Sequence, residues 1–164
     1  MKNNRLVVIV IVGVALALIF WVIQYFSPER VVHRKFLAAV VAFEKEQLLG
    51  TIQVISRTYH DPWGQSYESI AGNISEMMAT FDDLDVDLLE TSADRTEDGV
   101  RMRLRFVVSG SDGDGAGAVL GSHSAPCTAS IFWRKEPSGW RITTTESLDI
   151  PELSDELDAL HRGR

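Results

Sequence analysis

The sequence predicts an α+β domain behind a membrane-spanning helix, and three observations carry that reading. Residues Leu6–Phe26 form one apolar run, three stretches between Glu29 and Thr80 repeat apolar residues at helical spacing, and from Leu84 onward apolar residues alternate with polar ones. The chain has 164 residues, 45% of them hydrophobic and 24% charged, which gives room for one ordinary folded domain. The expected division is an anchor over 1–28, a domain over 29–149 and a tail over 150–164.

The run LVVIVIVGVALALIFWVIQYF contains no charge, and only Gly13 and Gln24 interrupt it. At about 1.5 Å per residue it would span roughly 31 Å, one hydrocarbon core. Lys2 and Arg5 also suit a secretion signal. The run is longer than such a signal needs, however, and its exit, Gln24-Tyr25-Phe26-Ser27-Pro28, lacks the small-x-small pattern of a cleavage site. An uncleaved, single-pass signal anchor is therefore expected, with the lipid bilayer as the partner of Leu6–Phe26. Trp21 and Tyr25 stand near its end, where aromatic rings favour the interface. Basic residues flank both sides: Lys2 and Arg5 before the run, Arg30, Arg34 and Lys35 after it. Short basic N-terminal tails usually stay inside, so the domain is expected outside the cytoplasm, at the cell membrane.

After Pro28, residues Val32, Phe36, Ala39, Val40 and Phe43 predict a helix over Glu29–Leu49. A shorter helix is expected over Thr51–Thr58, with Ile52 and Ile55 inward. It ends at Tyr59-His60-Asp61-Pro62-Trp63-Gly64, where Asp61 is pushed towards extended geometry by the proline behind it. Ser66 makes an N-cap, and Ile70, Ile74, Met77, Met78 and Phe81 form one stripe, so a third helix is expected over Tyr67–Thr80.

The period then changes to two. Leu84, Val86 and Leu88 alternate with Asp83, Asp85 and Asp87, and Val100, Met102, Leu104 and Phe106 alternate with Arg101, Arg103 and Arg105. An antiparallel pair around a turn at Ser92–Gly99 is expected, with Asp87 opposite Arg103 and Asp85 opposite Arg105. Ser109–Ser124 reads as a long mobile loop. Strands follow over Cys127–Lys135 and Trp140–Ser147, joined by Glu136-Pro137-Ser138-Gly139. In the tail, Leu153, Leu157 and Leu160 predict a short helix.

Without the anchor's two cations, the formal net charge of −7 becomes −9 for the remainder. Such a surface repels phosphate backbones, and no basic patch offsets it, so nucleic acid is not an expected partner. The single cysteine, Cys127, excludes an intrachain disulfide and a cysteine-based zinc site. The four histidines show no metal spacing, and neither a metal nor another cofactor is expected.

The order of three helices and then a sheet, with a DPxG turn at Asp61-Pro62-Trp63-Gly64 and a tryptophan-turn-GWRI hairpin near the end, resembles the nuclear transport factor 2-like superfamily over about Arg30–Leu148. This superfamily is also described as ketosteroid isomerase-like, SnoaL-like or cystatin-like. The resemblance implies a cone-shaped domain of three helices packed on a curved antiparallel sheet that wraps the first helix and leaves a pocket at its open end. It also admits a homodimer or protein partner on the sheet face and a small apolar ligand in the pocket. Members include ketosteroid isomerase, scytalone dehydratase, polyketide cyclases and many non-catalytic binding domains, so fold does not decide function.

In the isomerase the DPxG turn carries the general base, a role the resemblance puts on Asp61. That chemistry also needs a tyrosine and a protonated aspartate to stabilise the dienolate oxygen. Phe36 stands where the tyrosine would, and the aspartate's place falls near Ala129 or Ser130, so steroid-type isomerisation is not expected. Asp61 has an ordinary alternative task, accepting backbone N–H groups of its own turn. Phe36, Tyr59, His60, Asp61 and Trp63 are the candidate pocket or rim residues. The ordinary reading of the aromatics is packing, and of His60 solvent exposure. Three weaker signals, His123 with Cys127, the Asp112/Asp114 loop and the Asn73-Ile74-Ser75 sequon, read as packing, solvated loop and accident. The sequence thus predicts a membrane-anchored binding or assembly domain, with a pocket enzyme of isomerase, dehydratase or cyclase type as the alternative.

Overall fold

A computed structural model describes residues 25–113 and 115–151, together with residues 13, 14 and 16. The predicted anchor, apart from its last two residues and those isolated positions, and the predicted tail helix beyond residue 151 lie outside the described residues. Among the described residues no helix is long and apolar enough to cross a membrane.

Ser27 begins the folded part. Its backbone leaves the helical region (φ −59°, ψ 140°) and its hydroxyl accepts from the Arg30 N–H at 3.5 Å. Pro28 then occupies the first helical turn, where its missing N–H costs nothing. Helix α1 covers Pro28–Glu44 and turns Val32, Ala39 and Ala42 inward. It stops five residues before the predicted Leu49. Glu46 reverses the chain at φ 54°, while the N–H groups of Glu46 and Gln47 are taken by Phe43 and Ala42 carbonyls, each at 2.8 Å. No glycine or proline marks that stop.

Helix α2 is Leu48–Ile52, not the predicted Thr51–Thr58. The correction is tertiary in origin, because the chain after Ile52 becomes an edge for the sheet. Val54 O accepts from Ile142 N at 2.8 Å, Ser56 N donates to Ile142 O at 2.8 Å, and His60 N donates to Thr143 O at 3.2 Å. Backbone groups that a helix would have paired internally are paired with a strand instead. Helix α3, Tyr67–Thr80, has the predicted bounds and a capping box between Ser66 and Ser69.

The sheet consists of β1 (Asp82–Arg95), β2 (Val100–Asp112), β3 (Gly115–Leu120), β4 (Cys127–Glu136) and β5 (Gly139–Asp149), in the order β1-β2-β4-β5 with β3 also on β2. All pairings are antiparallel. Two predictions fail here. First, β1 continues through Ser92–Arg95, where a turn was expected, and the reversal is confined to Thr96–Gly99, closed by Thr96 N donating to Gly99 O at 3.0 Å. The register therefore slides: Asp87 faces Val107 and Asp85 faces Ser109, whereas Glu90 faces Arg105 and Ser92 faces Arg103. Opposite charges still meet, but as Arg105 with Glu90, Arg103 with Asp94, and Arg101 with Glu146. A bulge between Leu88 and Glu90 changes the phase, so Leu84, Val86 and Leu88 point inward before it and Thr91 and Ala93 after it.

Second, the predicted loop Ser109–Ser124 holds the end of β2 and the whole of β3, with Gly110 opposite Gly117 and Ser111 opposite Ala116. Backbone ladders pair this hairpin, and the Gly115 N–H also donates to Asp112 Oδ1 at 3.2 Å. Its small side chains carry no alternation that could announce a strand. The core lies between the sheet and α1, where Val32, Met102, Val100 and Trp133 have no solvent exposure. Fold class is thus as the sequence implied, three helices on an antiparallel sheet.

Candidate functional site

The concave face of the sheet does not close completely on the helices. A cavity of about 380 Å³ remains between them. Its walls are Phe36, Val40 and Phe43 from α1, Ile70, Ile74 and Met77 from α3, and Leu88, Leu104, Phe106, Ala129 and Ile131 among the sheet residues. Three hydroxyl-bearing residues interrupt this apolar surface: Thr51, Tyr59 and Thr145. Thr51 is occupied, since its hydroxyl donates to the Gln47 carbonyl at 3.1 Å. The volume falls in the range of small-molecule pockets, and the lining suits an apolar occupant. A larger depression, about 590 Å³, lies on the outer sheet face among Glu90, Arg103, Arg105, Thr128, Ser130 and Ser147. Charged and hydroxyl side chains ring that trough, whereas the walls of the cavity between helices and sheet are almost wholly apolar, so the cavity is the stronger candidate.

Tyr59 and Thr145 belong to a network that reaches Asp61. The Tyr59 Oη lies 2.8 Å from Thr145 Oγ1 and 3.2 Å from Asp61 Oδ2. A phenol has one proton and a carboxylate none, so both contacts form together when Tyr59 donates to Asp61 and Thr145 donates to Tyr59. Burial above all, with the Asp61 charge adding to it, holds the Tyr59 phenol above its ordinary value of 10.0, so it stays protonated at neutral pH.

Asp61 is 4% exposed and fully engaged. Its Oδ1 accepts from Trp63 N at 3.0 Å and Gln65 N at 2.8 Å, while its own N–H donates to the Gln65 carbonyl at 3.4 Å. Proline at 62 fixes the entry to the turn, and Gly64, at φ 80°, supplies the left-handed residue that brings Gln65 back over the carboxylate. One carboxylate oxygen thus holds the turn and the other holds Tyr59. Neither lies on the cavity wall, whose lining includes Phe36 and Tyr59 but not His60, Asp61 or Trp63.

The five sequence candidates are therefore split. Phe36 and Tyr59 meet on the cavity wall, and Asp61 joins them only through the Tyr59 hydroxyl. His60 is exposed and bridges Ser66 through its backbone, and Trp63 is 54% exposed. At the strand position compared above with an acid, Ala129 lines the cavity while Ser130 donates to Glu146 at 3.0 Å on the other face. Thr145 was missed. Its only signal is a hydroxyl at an inward position of β5, inside a run of three threonines.

Elsewhere, His123 is exposed with Nδ1 3.8 Å from Asp87 Oδ2, and Cys127 is buried. No group of three His, Cys, Asp or Glu that could hold a metal occurs among the described residues.

No family model matches the chain, and no curated protein sequence matches it. Solved structures do. A nuclear transport factor 2-like protein with a cystatin-like fold from Novosphingobium aromaticivorans superposes with a TM-score of 0.58 at 14% identity, covering 83% of this chain and 88% of that one. A nuclear transport factor 2-like superfamily protein from Salmonella enterica gives 0.58 at 16% identity, covering 74% and 89%. A proposed dehydratase of the same family from Streptomyces avermitilis gives 0.56 at 13% identity, covering 70% and 90%. Identity this low speaks for architecture alone, and what it establishes is that the chain has the nuclear transport factor 2-like, cystatin-like α+β fold.

Proposed function

We propose that this chain is a membrane-anchored domain that binds a small apolar molecule inside its cone. The observation that carries the reading is the cavity of about 380 Å³, whose walls are hydrocarbon except for Thr51, Tyr59 and Thr145. The Tyr59–Thr145 pair would orient an occupant carrying one polar group. The uncharged run Leu6–Phe26 supports the anchor, and the polar trough on the outer sheet face offers a surface to a second copy or a protein partner.

The enzyme alternative asks Asp61 to take a proton from an occupant of the cavity. Both of its oxygens already accept hydrogen bonds, and Asp61 is not among the residues that line the cavity, which it meets only through the Tyr59 hydroxyl. Phe36 and Ala129 cannot donate to a developing oxyanion, and loss of one such donor commonly costs about 2.7–4 kcal/mol. Binding is the better use of this geometry.

The test uses the full chain in lipid nanodiscs and an apolar naphthalene fluorophore. Ala129→Phe, which projects into the cavity, should weaken probe binding by about tenfold or more, equivalent to about 1.4 kcal/mol. Equal binding by both proteins would place the probe elsewhere and remove the argument. Turnover of an unsaturated ketone that vanishes in Asp61→Asn would instead establish the enzyme. Extraction of the full chain by alkaline carbonate would refute the anchor.

A further inference from the structure

The surface of α1 that faces away from the sheet is unlike the rest of the domain. At helical spacing it presents Arg30, Arg34, Leu37, Ala38 and Val41, all exposed, with Lys45 following at the C-cap. Leu37 is 38% and Val41 45% exposed. There is no carboxylate in this stripe. Of the nearby acids, Glu44 is half-buried and accepts from Val86 N at 3.3 Å, half-buried Glu29 lies beside Arg30 and Arg34, and exposed Glu46 follows Lys45 beyond the helix. In a chain of formal charge −7 this is a local concentration of cations around exposed hydrocarbon.

The stripe is continuous with the apolar run that precedes it. Phe26 is 67% exposed, and Arg34 holds Tyr25 by two contacts: Nη1 donates to the Tyr25 carbonyl at 3.1 Å, and the guanidinium lies 4.2 Å from the ring centroid. Helix α1 starts afresh at Ser27, whose backbone leaves the helical region. Cations at the edge of an apolar stripe, beside aromatic residues, are the composition of a helix lying in a membrane interface, with stems in the headgroup layer and charges on lipid phosphates.

We propose that the outward face of α1 rests on an anionic bilayer, so that the domain lies against the membrane and does not swing from its anchor. The proposal rests on the anchor reading above. The occupant is a lipid surface because the charges within the stripe, Arg30 and Arg34, are cations and because the chain's apolar run ends where the stripe begins. A second copy of this acidic chain would have to bring its own Arg30, Arg34 and Lys45 to the contact.

The experiment places a fluorophore at Val41→Cys in the full chain, reconstituted in vesicles of phosphatidylglycerol with phosphatidylcholine. Ser138→Cys, on the exposed β4–β5 turn, is the reference, and the unsubstituted chain, whose Cys127 is buried, is the labelling blank. The Val41 label should be several-fold less accessible to aqueous iodide than the Ser138 label and should be quenched by brominated lipid. Phosphatidylcholine alone, or Arg30→Glu with Lys45→Glu, should restore iodide access, because attraction to the anionic surface is lost. Equal iodide access at both sites would overturn the proposal while leaving the anchor intact. Shielding that survives charge reversal would also overturn it. So would shielding without bromolipid quenching but with energy transfer between Val41 labels, which is the signature of a second copy. A chain that fails to float with the vesicles would overturn both the docking and the anchor.

Discussion

Asp61 offers the sharpest test of whether this carboxylate is a fastener or a reagent. Asp61→Ala deletes three acceptor contacts at once, those to Trp63 N (3.0 Å), Gln65 N (2.8 Å) and the Tyr59 hydroxyl (3.2 Å). Hydrogen bonds to charged groups contribute about 1.5–3 kcal/mol each, but Trp63 lies at the surface and its N–H regains water, so a loss of about 3 kcal/mol is expected. Asp61→Asn keeps one oxygen for the two backbone N–H groups. Its amide can donate to Tyr59 Oη, whose proton then turns to Thr145, 2.8 Å away. That variant should lose about 0.5–2 kcal/mol, the usual range for altering a side chain that caps backbone donors. Urea unfolding of the lipid-reconstituted chain, followed by tryptophan fluorescence, reads the difference. With a slope of about 1–3 kcal/mol per molar, the two midpoints should separate by roughly 1 M. Apolar probe binding should survive in Asp61→Asn. Equal losses for Asn and Ala, or loss of binding in Asn with little loss of stability, would refute the structural role and make the charge itself functional.

Three further outcomes follow from the geometry. Because the Tyr59 pKa is raised above 10.0, its contribution is present below that pH and is lost as pH rises through the folded value. Tyr59→Phe should therefore flatten the fall of stability in alkali measured by urea midpoints. Glu146 is held below its ordinary 4.5 by the Arg101 hydrogen bond, so its contribution is present above that value and lost as pH falls through the folded one. Glu146→Gln should flatten the acid limb and leave the alkaline one unchanged. At Gly99 a Cβ would stand 2.1 Å from the Trp133 carbonyl oxygen, so Gly99→Ala should destabilise by about 1–3 kcal/mol through forced backbone shifts, seen as an earlier thermal transition.

What the sequence made legible was whatever an amphipathic period or a strong cap announces. Helix α3 has both, an apolar stripe and Ser66, and its bounds agree with the reading. The shorter α2 has neither. Its neighbours Val54 and Ile55 are apolar enough for a helix, and only the pairing of this segment with Ile142, far along the chain, makes it an edge. The same blindness produced the register error. Alternation fixes which face a residue takes, but Ser92, Ala93 and Asp94 look like a turn until the ladder to Arg103, Met102 and Arg101 is seen. Strand β3 escaped for the opposite reason, since Gly115, Ala116 and Gly117 have almost no side chain with which to show a period.

The site was legible as a neighbourhood and not as a geometry. Asp-Pro-x-Gly states that an aspartate will sit at a tight turn, which holds whether its carboxylate closes the turn or faces a ligand. The difference is made by the backbone angle of the motif's own glycine and by residues that the motif does not contain. Gly64 at φ 80° swings Gln65 N to within 2.8 Å of Oδ1, and Tyr59, two residues upstream, occupies Oδ2. Thr145, 86 positions from Tyr59 in the chain, then holds the phenol from the sheet side. An acid so held cannot reach the cavity without breaking the turn or displacing the tyrosine. The polar group that this fold presents to an apolar occupant is the Tyr59 phenol, kept neutral by its burial. Because the Tyr59 proton goes to Asp61 and the Thr145 proton to Tyr59, the wall offers hydroxyl oxygens as acceptors and no ionised group, which suits an apolar molecule carrying one donor. That is why the binding reading stands ahead of the catalytic one.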